Sequence, residues 1–250
     1  MLFILRQLRR SFFQPGKLRT YVAYAIGEIL LIVIGILIAV QIGDWKDDRK
    51  LNLQRAELIE NLKAEFQINR EMLATRIEHG NAYAKRQYAF LSLLNSGISH
   101  LSKEELNQHL AGSFQANNFT PFLASYQSAK SNGSLDLIRN RSLDRLFVTF
   151  EQSMTIIDRL NSFSAEEFFQ GSTLELRRMV GSLGLLTGGF ERIPEAKLFS
   201  MNKDDIEAFV TRKDVYATFE NKLNMHRNLL DLYKDLDSIT EQILNHLKEI

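Results

Sequence analysis

The chain has no cysteine among its 250 residues. That excludes a disulfide framework, a thiolate metal site and a cysteine nucleophile, and makes the protein indifferent to the redox state of its compartment. Proline is scarce too, with only three in the chain against 13 glycines, so long uninterrupted helices are possible. No stretch of useful length alternates apolar and polar residues, which points away from strands and to an all-α fold class. His79, His100, His109, His226 and His246 never pair three or four residues apart, and no Glu-x-x-His places a carboxylate beside one on a helix. No metal site and no cofactor is therefore expected. Gly-x-Ser-x-Gly is absent as well, so hydrolase chemistry has no support and the protein is read as not an enzyme. An excess of one charge is also missing: 31 Lys and Arg face 30 Asp and Glu. The positive charge is local, with residues 1–43 at +4 and residues 44–250 at −3, which argues against a nucleic-acid partner.

What is present is one long apolar run. Residues 21–42, YVAYAIGEILLIVIGILIAVQI, carry a single formal charge at Glu28. As a helix they make a rod of roughly 33 Å, enough for the hydrocarbon core of a bilayer, and in lipid only a helix satisfies its own backbone within one segment. The reading is a transmembrane helix over 21–42, a cytoplasmic basic segment over 1–20 and a periplasmic helical domain over 43–250. Within 1–20, Leu2, Leu5, Leu8, Phe12 and Phe13 share one helical face with Arg6, Arg9 and Arg10 largely off it. This fits a short helix lying in the interface; the alternative is a basic tail that only orients the span. Either way the N-terminus is cytoplasmic, because five Lys or Arg precede the span, while those that follow closely are interspersed with Asp44, Asp47 and Asp48. A cleaved signal peptide competes, but its apolar region is usually 7 to 15 residues long and no small-x-small site follows Ala39. Trp45 stands where an interfacial aromatic belongs.

Inside the span, Ala23, Gly27, Gly35, Ala39 and Gly43 form a four-residue ladder of small side chains broken only by Leu31. Such a ladder suits close helix association, giving a homodimer or higher oligomer. Glu28 sits beside it. A carboxylate in hydrocarbon costs on the order of a few kcal/mol unless it is neutral, paired or wetted. It fits an interhelical hydrogen bond or a snorkelling contact, or else ion coupling of the kind found in stator subunits.

The run YAIGEILLIVIGILIAVQIGDW over 24–45, preceded by a basic amphipathic start, resembles a family of uncharacterised single-span membrane proteins from Bacteroidota. A second stretch, FTPFLASYQSAKSNGSLDLIRNRSLDRL over 119–146, is similar to that family's pattern of a Tyr, a Ser-x-Gly-x-Leu-x-Leu-Ile and an Asn before a long helix. The resemblance implies a bacterial inner-membrane protein with a helical periplasmic part and carries no catalytic residues over. Gly43-Asp44 departs from the family, where an Asn pair is commoner before the Trp.

Beyond the span, apolar positions from Leu51 to Leu91 recur at intervals of three, four or seven, which predicts a helix from Trp45 to about Leu94 with a kink or stop at Gly80-Asn81. Ser102-Lys103-Glu104-Glu105 is a capping box for a short helix ending at Gly112. Thr120-Pro121 predicts the start of another, stopping at Asn132-Gly133. A long helix follows Ser142, a flexible loop covers 181–189, Asn202 caps a short helix, and a last long helix begins near Asp214. Three long amphipathic helices are expected to pack as an elongated antiparallel bundle. Tyr126, Ser131, Asn132, Gly133 and Asn140 gather polar, loop-forming residues between helices and are the candidate binding or contact site; turn chemistry is the competing role. The function expected is that of an envelope protein that binds an unknown partner or ligand, as an assembly or sensory component. The alternatives are an ion-coupled stator-like subunit using Glu28 and an envelope enzyme with an unrecognised site.

Overall fold

The computed structural model describes residues 17–113, 117–170, 174 and 202–250, and the expected all-α class holds throughout them. Helix α1 spans Lys17–Ser96, α2 Lys103–Ser113, α3 Ala124–Asn132, α4 Arg141–Gln170, α5 Lys203–Val210 and α6 Lys213–Glu249, with a 3-10 turn at Ser134–Ile138. The amphipathic start over 1–14 and the glycine-rich loop over 181–189 lie outside the described residues. The chain divides into two units, Met1–Glu57 and Leu58–Ile250.

In the first unit every residue from Thr20 to Gln54 is exposed, including Leu31 and Tyr24 at 75% each. Mean hydropathy over its most apolar 18 residues reaches 2.6, and none of those residues is buried. The helix is therefore long and apolar enough to cross a membrane. At its polar end the Arg49 guanidinium lies 5.7 Å from the Trp45 ring.

The second unit is organised by three long helices. Asn95 Nδ2 donates to Tyr216 Oη at 2.9 Å, His226 Nδ1 lies 3.0 Å from Gln87 Oε1, and Arg70 pairs with Asp237 at 3.3 Å and Glu241 at 2.9 Å. Residue numbers rise on α1 as they fall on α6, so these two helices are antiparallel. Arg70 thus joins the two helices through both carboxylates. The Phe66 ring lies 5.9 Å from Phe147 and 5.4 Å from Phe150, while Gly80 and Ser164 line one cavity. Helix α4 thus runs in the same direction as α1, which corrects the expectation of a simply antiparallel bundle. The long connection over 97–140 returns the chain to the end at which α1 enters the unit.

Two apolar cores result. One gathers Leu62, Phe66 and Leu73 of α1, Phe147, Phe150 and Ile157 of α4, and Tyr233, Leu236 and Ile243 of α6. The other gathers Phe90 of α1, Leu106 and Leu110 of α2, Phe209 and Val210 of α5, and Phe219 and Leu223 of α6. Each fully buried Leu, Ile or Phe contributes roughly 1.5–3 kcal/mol relative to exposure. Helix α1 does not stop at Gly80-Asn81. A Cβ at Gly80 would meet Asn117 Nδ2 at 2.8 Å and Leu230 Cδ1 at 3.1 Å, so this glycine serves close packing within a continuous helix.

Local signals set several helix ends. Ser102 N donates to Glu105 Oε2 at 2.7 Å and Glu105 N to Ser102 Oγ at 3.2 Å, the reciprocal pair of a capping box. These bonds hold the Glu105 carboxyl below its usual range. Asn202 Oδ1 accepts from Asp205 N at 2.8 Å and caps α5. Gly133, at φ +78°, closes α3 in the left-handed conformation.

Candidate functional site

The start of α3 departs from its local signal. Thr120-Pro121 does not open the helix, which begins at Ala124 after Leu123, a residue that gives no side-chain cap. Its first N–H groups are taken from across the fold: Ser125 N donates to Glu65 Oε2 at 2.6 Å and Tyr126 N to Glu65 Oε1 at 3.0 Å. One turn further along α1, Asn69 binds both backbone groups of Phe122, donating to its oxygen at 2.8 Å and accepting from its nitrogen at 2.7 Å. Asn117 Nδ2 donates to Arg76 O at 2.8 Å, and Tyr233 Oη donates to Asn117 O at 2.6 Å. Residues 117–123 form a strap laid antiparallel along α1 which, with the first turn of α3, is held by side chain to backbone bonds, and its Phe119 is fully buried. Sequence reasoning missed Glu65 and Asn69. Their signal was weak but present, because they share a helical face with Leu62, Phe66 and Leu73 and so place polar groups in an apolar stripe.

The residues picked out in sequence lie close together along the chain from α3 to the start of α4. Tyr126 is buried, and its hydroxyl donates to Glu151 Oε1 at 3.0 Å. Burial, and then that carboxylate, raise its pKa above the ordinary tyrosine value. Lys130 Nζ binds the same Glu151 oxygen. Ser131 Oγ donates to Ser128 O at 2.9 Å, Asn132 Oδ1 accepts from Ser134 N at 2.9 Å, and Asn140 Oδ1 accepts from Ser142 N at 2.8 Å. The two asparagines each stabilise a local turn, and Gly133 carries the backbone reversal between α3 and the 3-10 turn.

In the first unit, Glu28 and the ladder residues Ala23, Gly27, Gly35, Ala39 and Gly43 are all exposed. A Cβ added at Gly27, Gly35 or Gly43 meets nothing within 4 Å, so their small size serves no contact inside the described chain. Ser200-Met201-Asn202-Lys203 has the Ser-x-x-Lys spacing, but Ser200 lies outside the described residues. Lys203 Nζ is held by Ser99 O at 2.6 Å and Glu207 at 3.2 Å. Among the described residues no three His, Asp or Glu side chains converge as metal ligands would. No protein family, curated protein or solved structure matches the chain.

Proposed function

We propose that the protein is anchored in a bacterial inner membrane by residues 21–42 and acts by binding an envelope partner or ligand through residues 58–250, as an assembly or sensory component rather than as an enzyme. The observation that carries the anchor is an apolar helix exposed on all sides over 21–42. In water that surface would cost on the order of tens of kcal/mol, taking about 1.5–3 kcal/mol for each large apolar side chain; in lipid it costs nothing. The basic residues before the span orient the N-terminus to the cytoplasm and the larger unit to the periplasm. The likeness of 24–45 and 119–146 to single-span proteins of Bacteroidota supports the same placement. Binding is favoured over catalysis because Glu65, Asn69 and the Asn117 amide nitrogen, the buried polar groups between α1 and the strap, are engaged in holding the chain's own backbone.

The test combines alkaline extraction with protease accessibility. The chain should stay in the membrane pellet at full-length mass, and protease added to spheroplasts should digest residues 58–250. Release into the supernatant or a shortened mature chain would remove the anchor. Protection until the inner membrane is opened would invert the topology and end the periplasmic-partner reading.

A further inference from the structure

The two apolar cores of the larger unit do not meet. On α1 between Leu73 and Phe90, and on α6 between Leu223 and Leu229, the interior turns polar: Gln87, His226 and Asn117 are 3%, 6% and 8% exposed, and the Asn117 amide lies against the bare backbone of Gly80. A cavity of about 10 Å³ lies in this layer, lined by Gly80, Asn117, Asn118, Ser164, His226 and Leu229. It has room for one water-sized guest and no more.

The chemistry of the lining is one-sided. Asn117 donates its amide nitrogen to Arg76 O, while its buried Oδ1 has no donor among the described residues. Asn161, one turn before Ser164 on α4, has a buried Oδ1 in the same condition. His226 Nδ1 lies 3.0 Å from Gln87 Oε1. With that oxygen accepting, Nδ1 carries the proton and Nε2 presents a lone pair. A buried acceptor left unmet is destabilising, and native interiors relieve it with ordered water where the site is polar and large enough. No carboxylate lines the cavity, which disfavours a cation, and an organic ligand does not fit. We infer that the polar layer is a binding site for a single neutral hydrogen-bond donor of water size, a structural water held by Asn117 and Ser164 beside His226. That water joins the strap at Asn117 to α4 and α6 at the level where apolar packing stops.

The test is a crystal structure of the full chain in detergent at a resolution that shows ordered solvent. A density peak within hydrogen-bond distance of Asn117 Oδ1 and of Ser164 Oγ or His226 Nε2 is expected. A dry cavity, or a protein donor on Asn117 Oδ1, would overturn the assignment. Oxygen-17 magnetic relaxation dispersion gives a second readout that needs no crystal. Ser164→Val fills the cavity and removes its hydroxyl, so it should lower the number of long-lived waters by one; an unchanged number would sink the proposal.

Discussion

At the scale of single residues, two buried polar groups make opposite demands. His226 is neutral inside the fold because burial, and then the nearby Lys222 charge, push its pKa down from 6.5 to about 4. Below pH 6.5 the unfolded chain takes up a proton that the folded chain refuses until about pH 4. Stability from this group is therefore complete above 6.5 and is lost as pH falls through that window, by about 3 kcal/mol at roughly 1.4 kcal/mol per pH unit. His226→Gln should flatten the acid limb of a stability-versus-pH curve measured by thermal unfolding in detergent, and an unchanged limb would place the titration elsewhere. Glu65 makes the other demand, since its two oxygens are the acceptors for Ser125 and Tyr126 N–H. Glu65→Leu leaves both donors buried and unmet and should cost roughly 3 kcal/mol. Glu65→Gln, which keeps an acceptor, should cost less. Amide hydrogen exchange at residues 125 and 126 is the local readout: it should quicken in the Leu variant, and unchanged protection there would show that the cap is carried by another group.

At the scale of elements, helix ends were legible where the capping partner lies within three residues, as at Ser102–Glu105 and Asn202–Asp205. The start of α3 was not, because its partner is 60 residues away on α1 and no local pattern encodes it. Gly80 shows the same division. Its sequence neighbourhood reads as a helix stop, yet α1 runs through it, and the reason for glycine is the approach of Asn117 and Leu230. In an open helix Gly→Ala stabilises by about 1 kcal/mol. Here a Cβ would push Asn117 Nδ2 off the Arg76 carbonyl and strain the contact with Leu230, costing about 1–3 kcal/mol, so Gly80→Ala should be net destabilising in chemical unfolding. A stability gain of the size propensity suggests would show that the contact yields freely.

For the whole molecule, the small-residue ladder of the first unit bears on self-association. Four-residue steps overshoot a helical turn by about 40°, so the ladder winds about 200° round the helix from Ala23 to Gly43. Gly27 and Gly35 differ by about 80°, close enough for one partner helix to approach both. Gly27→Ile together with Gly35→Ile should abolish a membrane two-hybrid signal, while Ile32→Leu should leave it intact. A signal that survives the double substitution would remove the dimer through this face. Substituting Glu28 divides structure from ion coupling in the same segment: Glu28→Gln keeps a hydrogen bond and should support complementation of a deletion strain at normal abundance. Its failure there would favour a stator-like role.

The sequence alone determined the helical class, the apolar segment over 21–42 and most helix ends, because hydropathy periodicity and caps are properties of neighbouring residues. Tertiary structure decided which polar residues inside the apolar stripes are used and how. Glu65, Asn69, Asn117 and His226 find partners 60, 53, 41 and 139 residues away, and Tyr233 reaches Asn117 across 116. It also decided that α4 runs with α1 rather than against it, since helix direction follows from how a long connection is packed and leaves no trace in the periodicity of the helices it joins.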